Sequence, residues 1–256
     1  MNPILEELLA IDEGMGLCWL GNLGWLLRAD GQLVATDLDL ERDERLAPSP
    51  ISTADLAPHL DALFITHEHG DHFAGPTVAT LIAESACRFV LPESCLSRGR
   101  EFGISQQRVS VAIPDARPNG TPTLEPMIVC GIRVEPQRAL HGHTESSVYR
   151  GASCQDCGYV LTLDGRRVYQ PGDTVLLQQH LEDYADVEVL FVSPTLHNTH
   201  VDATTRMIEA MTPTHIFAQH FGTYRPTEAN SFWTVGYPDE VGRQLSDPLR
   251  RGFQIP

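Results

Sequence analysis

Apolar and polar positions alternate along the chain in short blocks, and the period of each block predicts its conformation. Ile4, Leu5, Leu8 and Leu9 recur at helical spacing, so the chain opens on a short amphipathic helix. Strand-like blocks follow at Leu17–Leu20, Gly24–Arg28 and Leu33–Asp37, with turns supplied by Gly21 and by Asp30-Gly31. Asp37 to Pro58 is polar and carries Pro48, Pro50 and Pro58, which predicts a long surface loop over the early strands. A loop of that length is uncommon without a function. Buried strands are predicted at Ala62–Thr66 and Arg88–Leu91, with a helix from Pro76 to about Glu84 between them. Strand-like alternation resumes over Ile128–Leu140. Gly158–Leu163 and Arg167–Gln170 form a hairpin pattern around Asp164-Gly165. Val187–Val192 and His215–Ala218 are continuous apolar runs, separated by a helical block at Asp202–Met211 with Asp202 near its N-cap. Short buried strands interleaved with helices predict an α/β protein whose sheets are covered by helices. No repeat or linker breaks the pattern, so residues 1–256 are expected to form one domain.

Composition narrows the function. The chain has 256 residues and a formal charge of −16, and all 18 of its basic residues are Arg. A surface this acidic repels polyanions and lacks the basic stripe of a nucleic-acid groove. No apolar run approaches the roughly 18 residues of a membrane helix, and the acidic N-terminus has no signal-peptide pattern. A cytoplasmic location and a small-molecule substrate are therefore expected. The six Cys (Cys18, Cys87, Cys95, Cys130, Cys154 and Cys157) are expected as free thiols. Cys154 and Cys157 form a CxxC without the further ligands of a zinc knuckle or the context of a redox pair, so an incidental role is expected.

The chemistry is concentrated at His67-Glu68-His69-Gly70-Asp71-His72, directly after the apolar block Ala62–Thr66. Imidazoles and carboxylates are the ligands preferred by zinc and similar divalent ions. Four of them within six residues suit two adjacent ions better than one. Further His and Asp residues stand where other predicted strands end: His141 and His143 after Leu140, Asp173 after Pro171-Gly172, and His220 after Ala218. An open α/β architecture collects a site from distant sequence in this way.

With these residues in place the sequence resembles the metallo-β-lactamase superfamily. The HxHxDH motif matches at His67, His69, Asp71 and His72, and the later His, Asp and His match at His141, Asp173 and His220. The resemblance spans about Leu17 to Tyr224. It implies a four-layer αββα sandwich with a metal site at the edge of its two sheets. It further implies that His67, His69 and His141 bind one ion, that Asp71, His72 and His220 bind a second, and that Asp173 bridges them. Asp37 resembles the superfamily's Asp that orients a ligand imidazole. ALHGHT offers both His141 and His143, and placement straight after the apolar stretch favours His141.

Members with a carboxylate in place of His69, a Cys in place of Asp173, or a large insertion between Asp173 and His220 are not matched. WLGNLGWLL (Trp19–Leu27), YQPGDT (Tyr169–Thr174) and SPTLHNTHVD (Ser193–Asp202) look like the L-ascorbate-6-phosphate lactonase-like subgroup, in which a His at the position of His197 lines the site.

The expectation is a hydrolase with two divalent ions, Zn(2+) or Mn(2+), with iron as an alternative. Its catalytic groups would be Asp71, Asp173 and His197, acting through a metal-bridging hydroxide on a lactone or other cyclic ester of a small polar metabolite. The alternatives are a phosphodiesterase on a small nucleotide or cyclic phosphate, and a non-haem iron thiol oxygenase. Arg150 and Arg225 are candidate anion clamps, with a solvated role expected for each. His200 is expected beside the site or exposed, and His59, His180 and His215 are expected to be structural or exposed. Trp233 and Tyr237 are expected to cap the apolar C-terminal segment, which would also permit a homo-oligomer.

Overall fold

A computed structural model describes residues 2–115, 122–141, 155–182, 184 and 186–256. Two sheets carry the fold. The first has the order β1 (Gly16–Gly21), β2 (Gly24–Ala29), β3 (Gln32–Thr36), β4 (Ala62–Phe64), β5 (Arg88–Pro92) and β6 (Val109–Ala112). The second runs β13 (Phe253–Gln254), β12 (His215–Ala218), β11 (Val189–Val192), β10 (Arg166–Gln170), β9 (Cys157–Leu163), β8 (Ile132–Arg138) and β7 (Met127–Val129). In the first sheet β1 to β3 are antiparallel and β3 to β6 parallel. In the second, β7 to β10 are antiparallel and β10 to β13 parallel.

Alternation along each strand divides the core into three apolar layers. Trp25, Leu27, Val34, Phe64 and Val90 of the first sheet meet Val134, Tyr159, Leu161, Val168 and Phe191 of the second. The residues between them point outward. Leu26, Leu33, Leu63, Phe89 and Leu91 pack under α1 (Pro3–Leu9), α2 (Thr53–Leu56), α3 (Gly75–Glu84) and α4 (Leu96–Glu101). Val160, Tyr169, Leu190, Val192 and Ile216 pack under α6 (Asp202–Met211) and α8 (Pro238–Gln244). Strands covered on both faces read as unbroken apolar runs, which explains ALF at β4 and VLFV at β11. Helix, sheet, sheet, helix is the expected αββα sandwich.

Several boundaries differ from the sequence reading. Ile128–Leu140 is two strands, because Cys130 and Gly131 adopt positive φ (49° and 81°) and turn β7 back into β8. Asp202 is the first helical residue and Val201 the cap. The stretch 37–58 is no bare loop: it contains α2, and Leu38, Leu40 and Ile51 are buried under the first sheet. It also fastens the two halves together through Leu46 N–H to the Thr223 carbonyl at 2.8 Å and Arg225 N–H to the Glu44 carbonyl at 3.0 Å. α4, β6, α5 (Gln178–Glu182), α7 (Ser231–Thr234), α8, α9 (Asp247–Gly252) and β13 carry no periodicity strong enough to have been read. Among the described residues no helix is long and apolar enough to cross a membrane.

Candidate metal centre

Five strand ends converge on one edge of the sandwich. Asp37 follows β3 directly, His67, His141 and Asp173 stand three residues past β4, β8 and β10, and His220 stands two past β12. β8 runs antiparallel to β9 and β9 antiparallel to β10, so β8 and β10 end on the same side. Asp37 and His220 hold positive φ (41° and 66°), a strained conformation tolerated where the surrounding bonds determine it. Those bonds are present. Asp37 N–H donates to the Phe64 carbonyl at 3.0 Å, and His220 N–H to the Asn22 carbonyl at 3.2 Å.

The ligand atoms form overlapping groups, two of which, His67/His72/Asp173 and His141/Asp173/His197, share Asp173. His67, His69 and His141 place one nitrogen each within 4.8 Å of one another, and Asp71, His72 and His220 do the same with their ligand atoms. Asp173 lies between these last two groups. Its Oδ1 is 3.2 Å from His220 Nε2, and its Oδ2 is 3.7 Å from His72 Nε2 and 3.9 Å from His141 Nε2. Asp71 Oδ2 is 3.3 Å from His72 Nε2 and 3.6 Å from His220 Nε2. His197 joins from the β11 side, its Nε2 3.4 Å from His141 Nε2 and 3.6 Å from Asp173 Oδ2. The structure therefore brings His67, His69, Asp71, His72, His141, Asp173, His197 and His220 together.

The hydrogen bonds behind these rings decide which nitrogen faces the centre. Thr66 donates its backbone N–H to Asp37 Oδ1 at 2.8 Å and its hydroxyl to Asp37 Oδ2 at 2.7 Å. Asp37 Oδ2 also accepts from His72 Nδ1 at 3.0 Å. The Thr66 oxygen, having donated its only proton, accepts from His67 Nδ1 at 3.1 Å. His220 Nδ1 donates to the Trp233 carbonyl at 3.1 Å. Each of these three rings thus spends its Nδ1 proton outward and turns Nε2 inward, as histidine ligands of metals do.

The Nε2 atoms of His67, His72 and His220 are buried and make no hydrogen bond. In their neutral forms two of them point lone pairs at carboxylate oxygens, an arrangement that is repulsive without positive charge between. Burial would lower the His72 imidazole, but Asp71, Asp173 and Asp37 hold it well above its ordinary range. Burial would likewise raise the Asp71 and Asp173 carboxyls, but His72 and His220 hold both well below theirs. The same burial pushes His67 far down, His141 to about 2 and His197 to about 4. Bare imidazole nitrogens, ionised carboxylates and a demand for a cation at their centre are the donor chemistry that fits divalent metal.

Some supporting groups were not legible in sequence. Thr66, Asn22 and Asn198 are among them: Asn22 Nδ2 donates to Asp71 Oδ2 at 3.0 Å and Asn198 Nδ2 to Asp173 Oδ1 at 3.1 Å. Asn198 adjoins His197 in SPTLHNTHVD, which was the available signal. Trp233 does more than cap the C-terminal segment. Its carbonyl holds His220 and its ring lies 5.8 Å from that imidazole. His200 is exposed and its ring meets Tyr237 at 4.8 Å, outside the cluster. Arg225 is exposed. Cys18, Cys87, Cys95, Cys130 and Cys157 are free thiols. His143, Arg150 and Cys154 lie outside the described residues.

Residues 34–221 match the sequence profile of the beta-lactamase superfamily domain. An uncharacterized protein of Mycobacterium tuberculosis is 32% identical over 104 residues, 37% of this chain and 28% of that protein, so the match spans less than a third of that relative's length. A metal-dependent hydrolase of Pyrococcus furiosus is 24% identical over 73% of this chain and 79% of its own. A metallo hydrolase of the archaeon Ignicoccus hospitalis superposes with a TM-score of 0.69 at 16% identity, covering 94% of each chain, a likeness of fold. Strand order, layer order and a profile match over well more than half of the chain agree: this protein belongs to the metallo-β-lactamase superfamily and has its fold.

Proposed function

We propose that this protein is a dinuclear metal-dependent hydrolase acting on a lactone or other cyclic ester of a small molecule. One observation carries the reading: two three-ligand groups, His67/His69/His141 and Asp71/His72/His220, flank Asp173 at the sheet edge, and the Nε2 atoms of His67, His72 and His220 are left without hydrogen bonds. Zn(2+) and Mn(2+) suit these donors. The metal-dependent hydrolase of Pyrococcus furiosus, similar over most of both chains, supports the same chemistry here.

The chemistry such ions supply is acidification of water to a nucleophile at neutral pH and polarisation of the oxygen under attack. The chain's own residues do the rest. Asp71 and Asp173 would help hold the ions and offer carboxylate oxygens to a nucleophile's proton. Asn22 and Asn198 fix those carboxylates by donating to them. His197, half-buried beside His141 and Asp173, presents an imidazole at the rim, where it can hydrogen-bond the oxyanion that develops on the substrate. The Phe232 ring stands edge-on 5.3 Å from His197.

The test is hydrolysis of a lactone panel beside a bis-aryl phosphodiester panel, run with wild type and with Asp71→Ala. Lactone turnover that the variant loses by at least about a hundredfold, with its fold retained, is the expected result. Turnover of the phosphodiesters alone moves the protein to the phosphodiesterase class. Undiminished lactone turnover by Asp71→Ala removes the dinuclear reading.

A further inference from the structure

The central layer is apolar except at one end. Gln170 and Gln219 are both buried there, and their side-chain amides pair with each other. Gln219 Nε2 donates to Gln170 Oε1 at 2.7 Å, and Gln170 Nε2 donates to Gln219 Oε1 at 3.1 Å. Trp25 Nε1 donates to Gln219 Oε1 at 2.9 Å, and the Gly172 backbone N–H to Gln170 Oε1 at 3.2 Å. An indole N–H and a peptide N–H can only donate, so both amide oxygens are assigned by chemistry. Gln170 Nε2 also reaches Thr36 Oγ1 at 3.4 Å, and Thr36 in turn donates to the Leu23 carbonyl at 2.9 Å.

The residues joined are those that carry the metal-centre groups. Gln219 precedes His220. Gln170 lies three residues before Asp173 and holds the turn at Gly172. Thr36 precedes Asp37, the residue that orients His72. β10 and β12 are not neighbours, since β11 runs between them. At one strand spacing per step they stand about 9.5 Å apart, and the two Gln side chains span that gap. Trp25 and Thr36 tie the pair to the first sheet. Elsewhere the interface is mainly apolar packing, such as Trp25 on Phe191 at 4.5 Å and on Phe217 at 5.2 Å, with further hydrogen bonds between the sheets from the Tyr159 hydroxyl to the Ile65 carbonyl at 2.6 Å and from Cys157 N–H to the Thr66 carbonyl at 3.0 Å. Dispersion and burial hold sheets together without fixing their lateral register, whereas directional hydrogen bonds fix it. A centre that draws ligands from both sheets needs such a fix, because metal–ligand distances tolerate only tenths of an ångström.

We propose that Gln170 and Gln219 are positioning residues: their amide pair, anchored on Trp25 and Thr36, sets Asp173 and His220 against the first sheet and so sets affinity for the ion held by Asp71, His72 and His220. The inference rests on the dinuclear reading above. It is tested by titrating metal-free protein with Co(II) and following visible absorption, which reads ligand geometry independently of turnover. Wild type is expected to take two equivalents. Gln219→Leu is expected to keep its far-UV circular dichroism and to bind the second equivalent 10- to 100-fold more weakly, with an altered spectrum. Trp25→Phe removes one bond of the same network and is expected to weaken that equivalent in the same direction. It serves as the deciding variant if Gln219→Leu does not fold. Unchanged uptake and spectrum of the second equivalent in the folded variants overturns the positioning role and leaves the dinuclear reading intact. A wild type that binds one equivalent or none overturns both.

Discussion

Asp37 is the residue on which most of the centre's geometry turns. It accepts three hydrogen bonds, two from Thr66 and one from His72, and through the Thr66 hydroxyl it also governs His67. One buried carboxylate thereby orients an imidazole in each ligand group. Asp37→Asn keeps the volume but turns an amide NH2 toward groups that donate. Its expected effect is a 10- to 100-fold loss of metal affinity, measured by competition with a chromophoric chelator. Equal affinity in the two proteins would show that His67 and His72 need no such support. Gly172 is a second sensitive position. Its φ is +65°, and a Cβ placed on it would lie 2.7 Å from Thr66 Cβ and 3.0 Å from Thr66 Oγ1. Gly172→Ala therefore combines backbone strain with a push on the residue behind His67. It is expected to lower unfolding free energy by about 1–3 kcal/mol and to weaken metal binding as well. Denaturant titration of the metal-free variant checks the first part, and a stability equal to wild type contradicts it.

At the level of elements, the strand-to-loop junctions were legible because each ligand stands within a few residues of an apolar run. ALFIT before His67 and HIFAQ before His220 announce both the strand and the turn out of it. The HxHxDH cluster is contiguous, so sequence alone could collect it. What sequence could not show are polar side chains whose partners are distant in the chain. Gln170 and Gln219 are 49 residues apart and Asn22 and Asp71 also 49, with no local pattern linking them. β7 and β8 read as one strand because the Cys130-Gly131 turn interrupts the alternation without a polar break.

Helix α5 is short, and His180 within it is an element-scale device of its own. His180 Nδ1 accepts from Leu177 N–H at 3.0 Å, and Nε2 meets the Tyr169 hydroxyl at 3.0 Å beside the stacked ring of Tyr184. Burial lowers this imidazole to about 3. The folded protein keeps it neutral while the unfolded chain protonates it near its ordinary value of about 6.5. Between those values the unfolded state binds the extra proton, so stability is lost as pH falls from about 6.5 toward 3. His180→Gln removes that proton. Its stability is expected to fall less steeply with pH than wild type, by about 1.4 kcal/mol per pH unit in that window. Parallel denaturation curves at several pH values measure the difference, and equal slopes contradict it.

The whole molecule is two sheets whose apolar faces meet and whose polar ends share one centre. His67, His69, Asp71 and His72 come from the first sheet, and His141, Asp173 and His220 from the second. Ions held between them would couple the halves, so folding and metal binding are linked. At free metal a thousandfold above its dissociation constant that linkage is worth about 4 kcal/mol. Chelation is accordingly expected to lower the melting temperature, and readdition of Zn(2+) or Mn(2+) to restore it. The most direct test of the proposed dinuclear centre is the metal content of purified protein by mass spectrometry, for wild type and for Asp173→Ala. Two divalent ions per wild-type chain, falling to one or fewer in the variant, is the predicted result. A wild type with a single ion or none, or a variant that retains two, would contradict it.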